Sequence, residues 1–242
     1  MDTTLPLKVP FHIAIIPDGN RRFARRLLEQ PSKGHEWGVG KMKELFDWCR
    51  ELGIKVATLY VLSLENLKNR SKEEVDFLLW LAKKELGDIA KDKSHFVHKD
   101  RIRMQFIGNL QLLPADLRET IELVKKRTEK YSDFFINMAV AYGGRQEIVE
   151  ACKRIGQKVA KGLLQPEGID ETVVKESLQT NGFPYPDLVL RTGGEKRLSN
   201  FLLYQNAYAE LVFVDTLWPE LSKKEFFSAV REFGERERRF GK

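Results

Sequence analysis

The chain has 242 residues, of which 42% are hydrophobic and 31% are charged, enough apolar sequence for one domain with a sizeable core. Its formal net charge of +6 favours anionic partners, and nucleic acid, phosphorylated metabolites and lipid headgroups all meet that condition. No apolar run approaches the roughly 20 residues of a membrane-spanning helix. Residues 1–10 lack the basic-then-apolar pattern of a secretory signal, which favours a cytoplasmic protein.

The cysteine and histidine patterns do not indicate a disulfide framework or a zinc centre. Cys49 and Cys152 are isolated, and the sequence has no Cys-x-x-Cys motif. His95 and His98 lie three residues apart, but neither a cysteine nor a third histidine accompanies them. We interpret them as a partly exposed pair at the end of a helix.

The first predicted element is a buried strand at residues 12–16, which a break at residues 17–20 separates from an Arg-rich helix. Asp18 therefore lies where free backbone N–H groups and the positive end of a helix dipole favour anions. Arg22 adds a cation to the same crevice. A carboxylate beside these cations indicates a phosphate that arrives with a divalent metal. The alternative is that Asp18 only caps the helix and the arginines are a solvated face.

Strand and helix patterns alternate along the rest of the chain. Five more strands are predicted, at residues 56–62, 102–107, 134–140, 187–190 and 211–214. Helices are predicted between them, with Gly53 ending one, Pro114 opening another, and capping-box spacing at residues 71–74 and 222–225. The fold class is therefore α/β. We expect a single domain, residues 1–242, with a central six-stranded, mainly parallel sheet flanked by helices.

In such a sheet the ligand crevice lies at the carboxyl ends of the strands. The residues that follow the predicted strands are mostly small, polar or charged, as a phosphate site requires. They are residues 18–20, 63–66, 108–109, 142–145, 191–195 and 215. No Gly-x-x-x-x-Gly-Lys-Ser/Thr loop and no Gly-x-Gly-x-x-Gly motif follows a strand, which disfavours P-loop nucleotidases and dinucleotide enzymes.

The densest polar stretch is residues 191–211. Arg191, Arg197 and Ser199 bring two guanidinium groups and a hydroxyl close together, beside two glycines that let backbone amides approach, which suits a diphosphate. Glu210 precedes the last predicted strand, and its carboxylate is a candidate to share a metal with that anion. The alternative is a surface loop with ordinary arginines.

Together these stretches resemble the cis-prenyltransferases of the undecaprenyl diphosphate synthase family, and in particular archaeal members. The resemblance covers nearly the whole chain and follows the order of the family's motifs. These are Ile16-Pro17-Asp18-Gly19-Asn20, Gly34-His35, Ser63-Leu64-Glu65-Asn66, Tyr142-Gly143-Gly144-Arg145, the block from Arg191 to Glu210, and Arg236-Glu237-Arg238-Arg239-Phe240.

The resemblance implies a Mg2+-dependent condensation of an allylic prenyl diphosphate with an acceptor, normally isopentenyl diphosphate, in cis. It places the donor diphosphate on Gly19, Arg21, Arg22 and Phe23, and the acceptor on Arg191, Arg197 and Ser199. Asp18 and Glu210 are the expected metal ligands, Asn20 and Asn66 position the reacting groups, and Ser63 and His35 belong to a polar relay. The hydrocarbon tail is expected in a hydrophobic tunnel between the sheet and two helices. The tunnel residues are Val39, Met42 and Phe46 on one helix and Phe77, Leu78 and Leu81 on the other.

The resemblance also implies a homodimer in the cytoplasm, with peripheral membrane contact and no nucleic-acid partner. The departures from the family pattern are concentrated near the donor diphosphate. They are Arg21, Phe23, Leu64, Leu67, Ala141 and the segment 27–33. Donor identity is therefore expected to be the unusual property of this chain.

Three other functions are considered. Some relatives pass the prenyl chain to a phosphorylated lipid, such as a prenylglyceryl phosphate, instead of extending it. A catalytically silent subunit of a two-chain enzyme tends to lose the Asp-Gly-Asn turn, which this chain keeps. A nucleic-acid-binding module is suggested only by the basic charge, because the aromatic residues lie mainly at core spacing.

Overall fold

The computed structural model describes residues 8–236, except for the side chains of Pro31 and Ser32. Its strands are β1 (His12–Ile16), β2 (Val56–Ser63), β3 (Ile102–Ile107), β4 (Phe134–Tyr142), β5 (Leu188–Arg191) and β6 (Glu210–Phe213). Within this described part they form one sheet in the order β3-β4-β2-β1-β5-β6, and all neighbouring strands are parallel. The predicted α/β class and the six strands are confirmed.

The helices alternate with these strands. They are α1 (Asn20–Arg26), α2 (Pro31–Glu51), α3 (Leu64–Asn69), α4 (Lys72–Lys91), α5 (Phe96–Lys99), α6 (Ala115–Thr128), α7 (Gly144–Ala160), α8 (Glu171–Ser177) and α9 (Lys223–Glu235). In the described residues no helix combines the length and apolar character needed to cross a membrane. The capping box predicted for the last helix is confirmed, since Ser222 and Glu225 each bond to the other's backbone N–H.

The order of the strands decides where a ligand can bind. The chain leaves β1 for β2 on one side of the sheet and later crosses to β5 on the other side. A crevice therefore opens beyond the carboxyl end of β1, at the point where the strand order reverses. Asp18 follows β1, and Thr192 follows β5, so both lie at this crevice.

The two faces of the sheet are packed differently. The larger core lies against α2, α4, α6 and α9, and it includes Ile13, Leu45 and Phe226. The opposite face carries a smaller cluster, in which the rings of Tyr60 and Phe201 stack with centroids 4.6 Å apart. That stack holds the long connection between β5 and β6 against the sheet.

Two short helices, α3 and α5, are absent from the sequence prediction. His95 and His98 are partly exposed, as predicted, and His98 lies in the last turn of α5; His95 instead is the N-cap of α5 and accepts a bond from the N–H of Val97. His98 contacts Tyr131 and the backbone oxygen of Ile89. Arg238 and Arg239, which belong to the last family motif, lie outside the described residues.

Candidate active site

The turn after β1 opens a polar cleft of ≈ 300 Å³ at the crevice. Gly19 has φ +115°, and a Cβ there would lie 2.8 Å from Cβ of Leu217, so the turn requires glycine. The lining residues are almost all polar or basic. They are Pro17, Asp18, Gly19, Asn20, Arg21, Arg22, Arg25, His35 and Arg70. Four arginines around one carboxylate make the cleft suitable for a strongly anionic group.

Asp18 is the central residue of this cleft. Its Oδ2 accepts from Nη2 of Arg191 at 2.8 Å, and its Oδ1 lies 3.1 Å from Nη2 of Arg22. Its backbone is also fixed, because its N–H donates to the Thr192 hydroxyl at 2.9 Å and its carbonyl accepts from the N–H of Trp218 at 2.9 Å. The carboxylate is 29% exposed. It is therefore rigidly held and still reachable by a ligand.

The pairing of Asp18 with two arginines has a chemical consequence. A diphosphate that enters the cleft can take over the guanidinium donors of Arg22 and Arg191, since charge-assisted bonds to phosphate have similar strength and geometry. The Asp18 carboxylate would then be available to a cation.

Asn20 lies where α1 packs closely on α2. A Cβ at Gly34 would overlap the backbone oxygen of Asn20, and a Cβ at Gly38 would lie 2.5 Å from its Oδ1. Trp218 closes the other side, with its indole N–H donating to the Gly38 carbonyl at 2.9 Å. Oδ1 of Asn20 is buried without a hydrogen-bond partner. The amide position therefore depends on the bare backbone of two glycines.

Gly38→Ala is expected to lower kcat, because the new methyl group displaces the Asn20 amide. A displacement of this kind costs on the order of 10- to 100-fold in rate. Gly40→Ala is the matched control on the same helix, since a Cβ there meets nothing within 4 Å. Steady-state kinetics of both variants check the prediction. Equal activity of the two variants would contradict it.

His35 lies in a cluster of ionic groups at one wall of the cleft. Its Nε2–H donates to Oε1 of Glu74 at 3.2 Å, and Nη1 of Arg70 lies 3.1 Å from the same oxygen. The Nε atom of Arg21 lies 3.8 Å from that oxygen. Burial lowers the pKa of His35 below its ordinary value, although the Glu74 carboxylate opposes the shift. His35 is therefore a neutral donor near pH 7.

Ser63 and Asn66 lie at the start of α3, on the neighbouring strand end. The Ser63 hydroxyl accepts from the N–H of Asn66 at 3.0 Å and caps the helix. Both residues thus reach the carboxyl edge of the sheet, as predicted. The polar relay that Ser63 and His35 are expected to join stays a prediction.

The acceptor residues expected from the sequence lie on the loop that follows β5. Arg191 is only 4% exposed, and its Nη1 donates to Oγ of Ser199 at 2.8 Å and to the Arg197 carbonyl at 2.5 Å. The Arg197 guanidinium is 59% exposed and pairs with Glu195. The structure therefore brings Arg191, Ser199 and Asp18 together, whereas the Arg197 side chain lies at the rim.

The predicted metal pair of Asp18 and Glu210 does not form within this chain. Glu210 is the first residue of β6 and is paired with Leu188, whereas Ile16 is paired with Arg191. At about 3.3 Å per residue, Glu210 lies at least 10 Å down the strands from the edge that carries Asp18. Its Oε2 instead accepts from Nη1 of Arg236 at 2.8 Å. Asp215 is the carboxylate that follows β6 at the correct edge.

The fit of the site to Mg2+ follows from its donor set. Among the described residues, no group of three or more His, Cys, Asp or Glu side chains could hold a metal ion. Mg2+ typically binds through one or two carboxylates together with substrate phosphates and water, and not through an all-protein cage. Asp18 in an arginine-lined cleft fits that pattern.

The predicted tunnel residues lie on two helices that pack against the same face of the sheet. Phe46 is buried in the core, and Met42 and Leu78 are half-buried against it. Leu81 is 4% exposed, while the Phe77 ring lies beside Trp80 with centroids 5.6 Å apart. Phe23 contacts the Trp37 ring edge-on at 5.0 Å, next to the cleft. The tunnel itself stays a prediction.

Several residues of the site were not singled out by the sequence. Glu74 was interpreted only as part of a capping box, and Arg70 sits in an unpredicted short segment between α3 and α4. The Thr192 hydroxyl and the Trp218 N–H bond to the backbone of Asp18, and no local sequence pattern reveals these contacts. The sequence shows an acidic residue, Glu74, at the start of α4, but only the fold shows that Glu74 faces His35.

The comparisons with known proteins agree with this geometry. The family model described as "Putative undecaprenyl diphosphate synthase" matches residues 16–241. Enzymes named tritrans,polycis-undecaprenyl-diphosphate synthase (geranylgeranyl-diphosphate specific) are 48% identical in Pyrococcus furiosus and 45% identical in Methanocaldococcus jannaschii. In both cases 97% of this chain aligns, with 88% and 83% of the respective relative.

Two solved structures share the fold. Lavandulyl diphosphate synthase from Lavandula x intermedia, solved with dimethylallyl diphosphate, has a TM-score of 0.90 and 36% identity, covering 97% of this chain and 99% of its own. A probable undecaprenyl diphosphate synthase from Campylobacter jejuni has a TM-score of 0.79 and 36% identity, covering 97% and 100%.

Proposed function

Since the chain belongs to the undecaprenyl diphosphate synthase family, we propose that the Asp18 cleft is its active site and that Arg191 joins the donor and acceptor positions. The chain is a prenyltransferase, which condenses an allylic prenyl diphosphate with isopentenyl diphosphate in cis to give a longer polyprenyl diphosphate. The observation that carries the site assignment is the Asp18 carboxylate, held between Arg22 and Arg191 at the crevice.

The reaction breaks the allylic C–O bond while negative charge grows on the departing diphosphate. Arg21, Arg22 and the N-terminal amides of α1 lie at the cleft and stabilise that charge. Asn20 and Asn66 orient the reacting groups. His35 and Ser63 supply hydrogen bonds at the cleft wall and at the start of α3. Arg191, Arg197 and Ser199 hold the acceptor diphosphate.

We propose that Asp18 would hold Mg2+ together with the substrate diphosphate. When bound, the ion offsets the charge of the leaving diphosphate. Glu210 has no part in this arrangement within one chain. Arg22 and Arg191, which pair with Asp18 here, would turn their donors to the diphosphate when substrate is bound.

The donor is proposed to be geranylgeranyl diphosphate, and the product an undecaprenyl diphosphate. The support is the identity of up to 48% with relatives whose names state that specificity. Of the departures from the family pattern, Arg21 lines the proposed donor cleft and Phe23 packs against Trp37. Transfer to a phosphorylated lipid has no support among the relatives, so isopentenyl diphosphate is retained as the acceptor.

We propose that the single catalytic domain spans residues 1–242 and that two copies form a homodimer with peripheral membrane contact. The support for these points is the family alone. Multi-angle light scattering gives the mass of the assembly in solution, and co-sedimentation with vesicles measures membrane contact. A monomer at micromolar concentration would contradict the dimer.

Leu81→Ala is expected to shift the product distribution to longer chains, because it removes a buried side chain from the face that also carries Phe77 and Leu78. Leu86→Ala is the matched control, since Leu86 is buried on the same helix within the core cluster. Both truncations cost about 2–5 kcal/mol in stability. Mass spectrometry of the products compares the chain lengths that the two variants make. An unchanged distribution for Leu81→Ala would place the tunnel wall elsewhere.

The proposed function is tested by diphosphate release from geranylgeranyl, farnesyl and dimethylallyl diphosphates in turn, with isopentenyl diphosphate and Mg2+. The expected result is the highest kcat/KM with the geranylgeranyl donor and no release after addition of EDTA. Full activity in EDTA would contradict the metal assignment. A preference for the dimethylallyl donor would contradict the donor assignment.

A further inference from the structure

The loop between β5 and β6 has an unusual backbone. Five residues between 193 and 202 have positive φ, and three of them are not glycine. Those three are Ser199 at +51°, Asn200 at +66° and Leu202 at +45°. Such conformations cost of order 1–3 kcal/mol each and persist only where neighbouring contacts enforce them. This loop carries Arg197 and Ser199, so its anchors decide the geometry of the acceptor site.

Asn200 anchors this loop to the start of α7. Its backbone oxygen accepts from the N–H of Gly144 at 2.7 Å, and its Oδ1 accepts from the N–H of Arg145 at 2.8 Å. These N–H groups belong to the first turn of α7, which has no cap from its own N-cap side chain. Asn200 therefore caps α7 from 55 residues away.

The Tyr-Gly-Gly-Arg motif is explained by this contact. A Cβ at Gly143 would lie 2.7 Å from Nδ2 of Asn200, and a Cβ at Gly144 would lie 2.9 Å from Cγ of Leu203. Side chains at these two positions would push the acceptor loop away from α7. The two glycines thus form the surface on which the loop rests.

The other end of the Asn200 amide reaches α3. Nδ2 donates to Oε1 of Glu65 at 2.8 Å and to Oε1 of Gln146 at 3.1 Å. Glu65 lies between Ser63 and Asn66 in the chain. Because one end of the amide accepts and the other donates, its orientation is fixed by its partners.

We propose that Asn200 is a positioning residue that fixes the acceptor loop to α3 and α7. The preceding residue, Ser199, accepts from Arg191, which contacts Asp18. A continuous series of contacts therefore runs from the helix of Ser63 and Asn66 through Asn200 to the acceptor site and Asp18. The inference rests on the proposed function, because it takes the Arg191 loop as the acceptor site.

The test exchanges the donor and the acceptor in the hydrogen bond between Asn200 and Glu65. Asn200→Asp keeps an acceptor for the N–H of Arg145 but sets a second carboxylate against Glu65. Glu65→Gln in the same chain restores a donor to that pair. Asn69→Asp adds the same charge at an exposed position of α3 and serves as the control. Isothermal titration calorimetry with isopentenyl diphosphate, and separately with inorganic diphosphate, measures Kd in the presence of Mg2+.

Asn200→Asp is expected to raise both Kd values about 10-fold or more, while the double variant returns to within about threefold of wild type. Glu65→Gln alone and Asn69→Asp are expected to change Kd less than twofold, and donor KM is expected to change little. If Asn200→Asp only unfolded the protein, adding Glu65→Gln would not restore the Kd.

An unchanged Kd in Asn200→Asp, or strictly additive effects in the double variant, would overturn the role of Asn200. If the wild type and Asn200→Asp bind isopentenyl diphosphate equally well, the proposed function stands and only this inference fails. If wild type binds neither diphosphate, the proposed acceptor site and the inference fail together.

Discussion

Asp18→Ala is expected to lower kcat by about 10²-fold or more, with the fold intact, because a preorganised electrostatic contact to the reacting diphosphate is lost. The side chain is partly exposed and fills no core volume, and Thr192 and Trp218 hold the turn through its backbone. Loss of the carboxylate also leaves Arg22 and Arg191 without their shared partner. Steady-state kinetics and thermal melting measure the two effects separately.

Two further variants test whether the charge of Asp18 is the reason for the loss of activity. Asp18→Asn keeps the shape and is expected to be nearly as inactive, since the charge is what a cation needs. Asp100→Ala removes an Asp–Arg pair of similar exposure at the opposite edge of the sheet and is expected to keep activity within about twofold. Activity of Asp18→Ala near that of the Asp100 variant would contradict the assignment of the cleft.

Arg191→Ala is expected to affect both kcat and the KM for the acceptor, since this guanidinium touches Asp18 on one side and Ser199 on the other. Removing one partner of a buried charge pair costs about 2–5 kcal/mol, which corresponds to at least a 30-fold loss of kcat/KM. Arg197→Ala is expected to raise the acceptor KM with little change in kcat, because its side chain lies at the rim.

Kinetics with each substrate varied in turn distinguish these outcomes. Arg50→Ala, which breaks an ion pair far from the cleft, controls for a general loss of charge or stability. If Arg191→Ala mainly raised the donor KM and left the acceptor KM unchanged, the donor and acceptor positions would have to be exchanged.

The strands were predictable because each is a short apolar run bounded by polar or turn residues. The position of the site followed from the rule that ligands bind at the carboxyl ends of parallel strands, which selected Asp18, Ser63 and Arg191. Short helices are harder, since α3 has only six residues and its cap, Ser63, ends a strand. Local propensity is weak over so few residues.

Glu210 shows why the position of a residue along its strand matters. Its place in the polar block 191–211 suggested a metal ligand, but it starts β6 one residue earlier than the predicted strand. A residue at the start of a parallel strand lies at the edge opposite the crevice. The rule that located Asp18 therefore excludes Glu210 within one chain. Glu74 and Asn200 were missed because their contacts are distant in sequence: His35 is 39 residues from Glu74, and the side-chain partners of Asn200 are 54 or more residues from it.

The most direct test is the mass of the product that purified protein makes from geranylgeranyl diphosphate and labelled isopentenyl diphosphate with Mg2+. The expected result is a series of prenyl diphosphates that grows by one isoprene unit at a time toward the undecaprenyl length, with new double bonds in cis. The series should be lost in Asp18→Ala. No incorporation of isopentenyl diphosphate, or the same series from the Asp18 variant, would contradict the assignment of the Asp18 cleft as a cis-prenyltransferase active site.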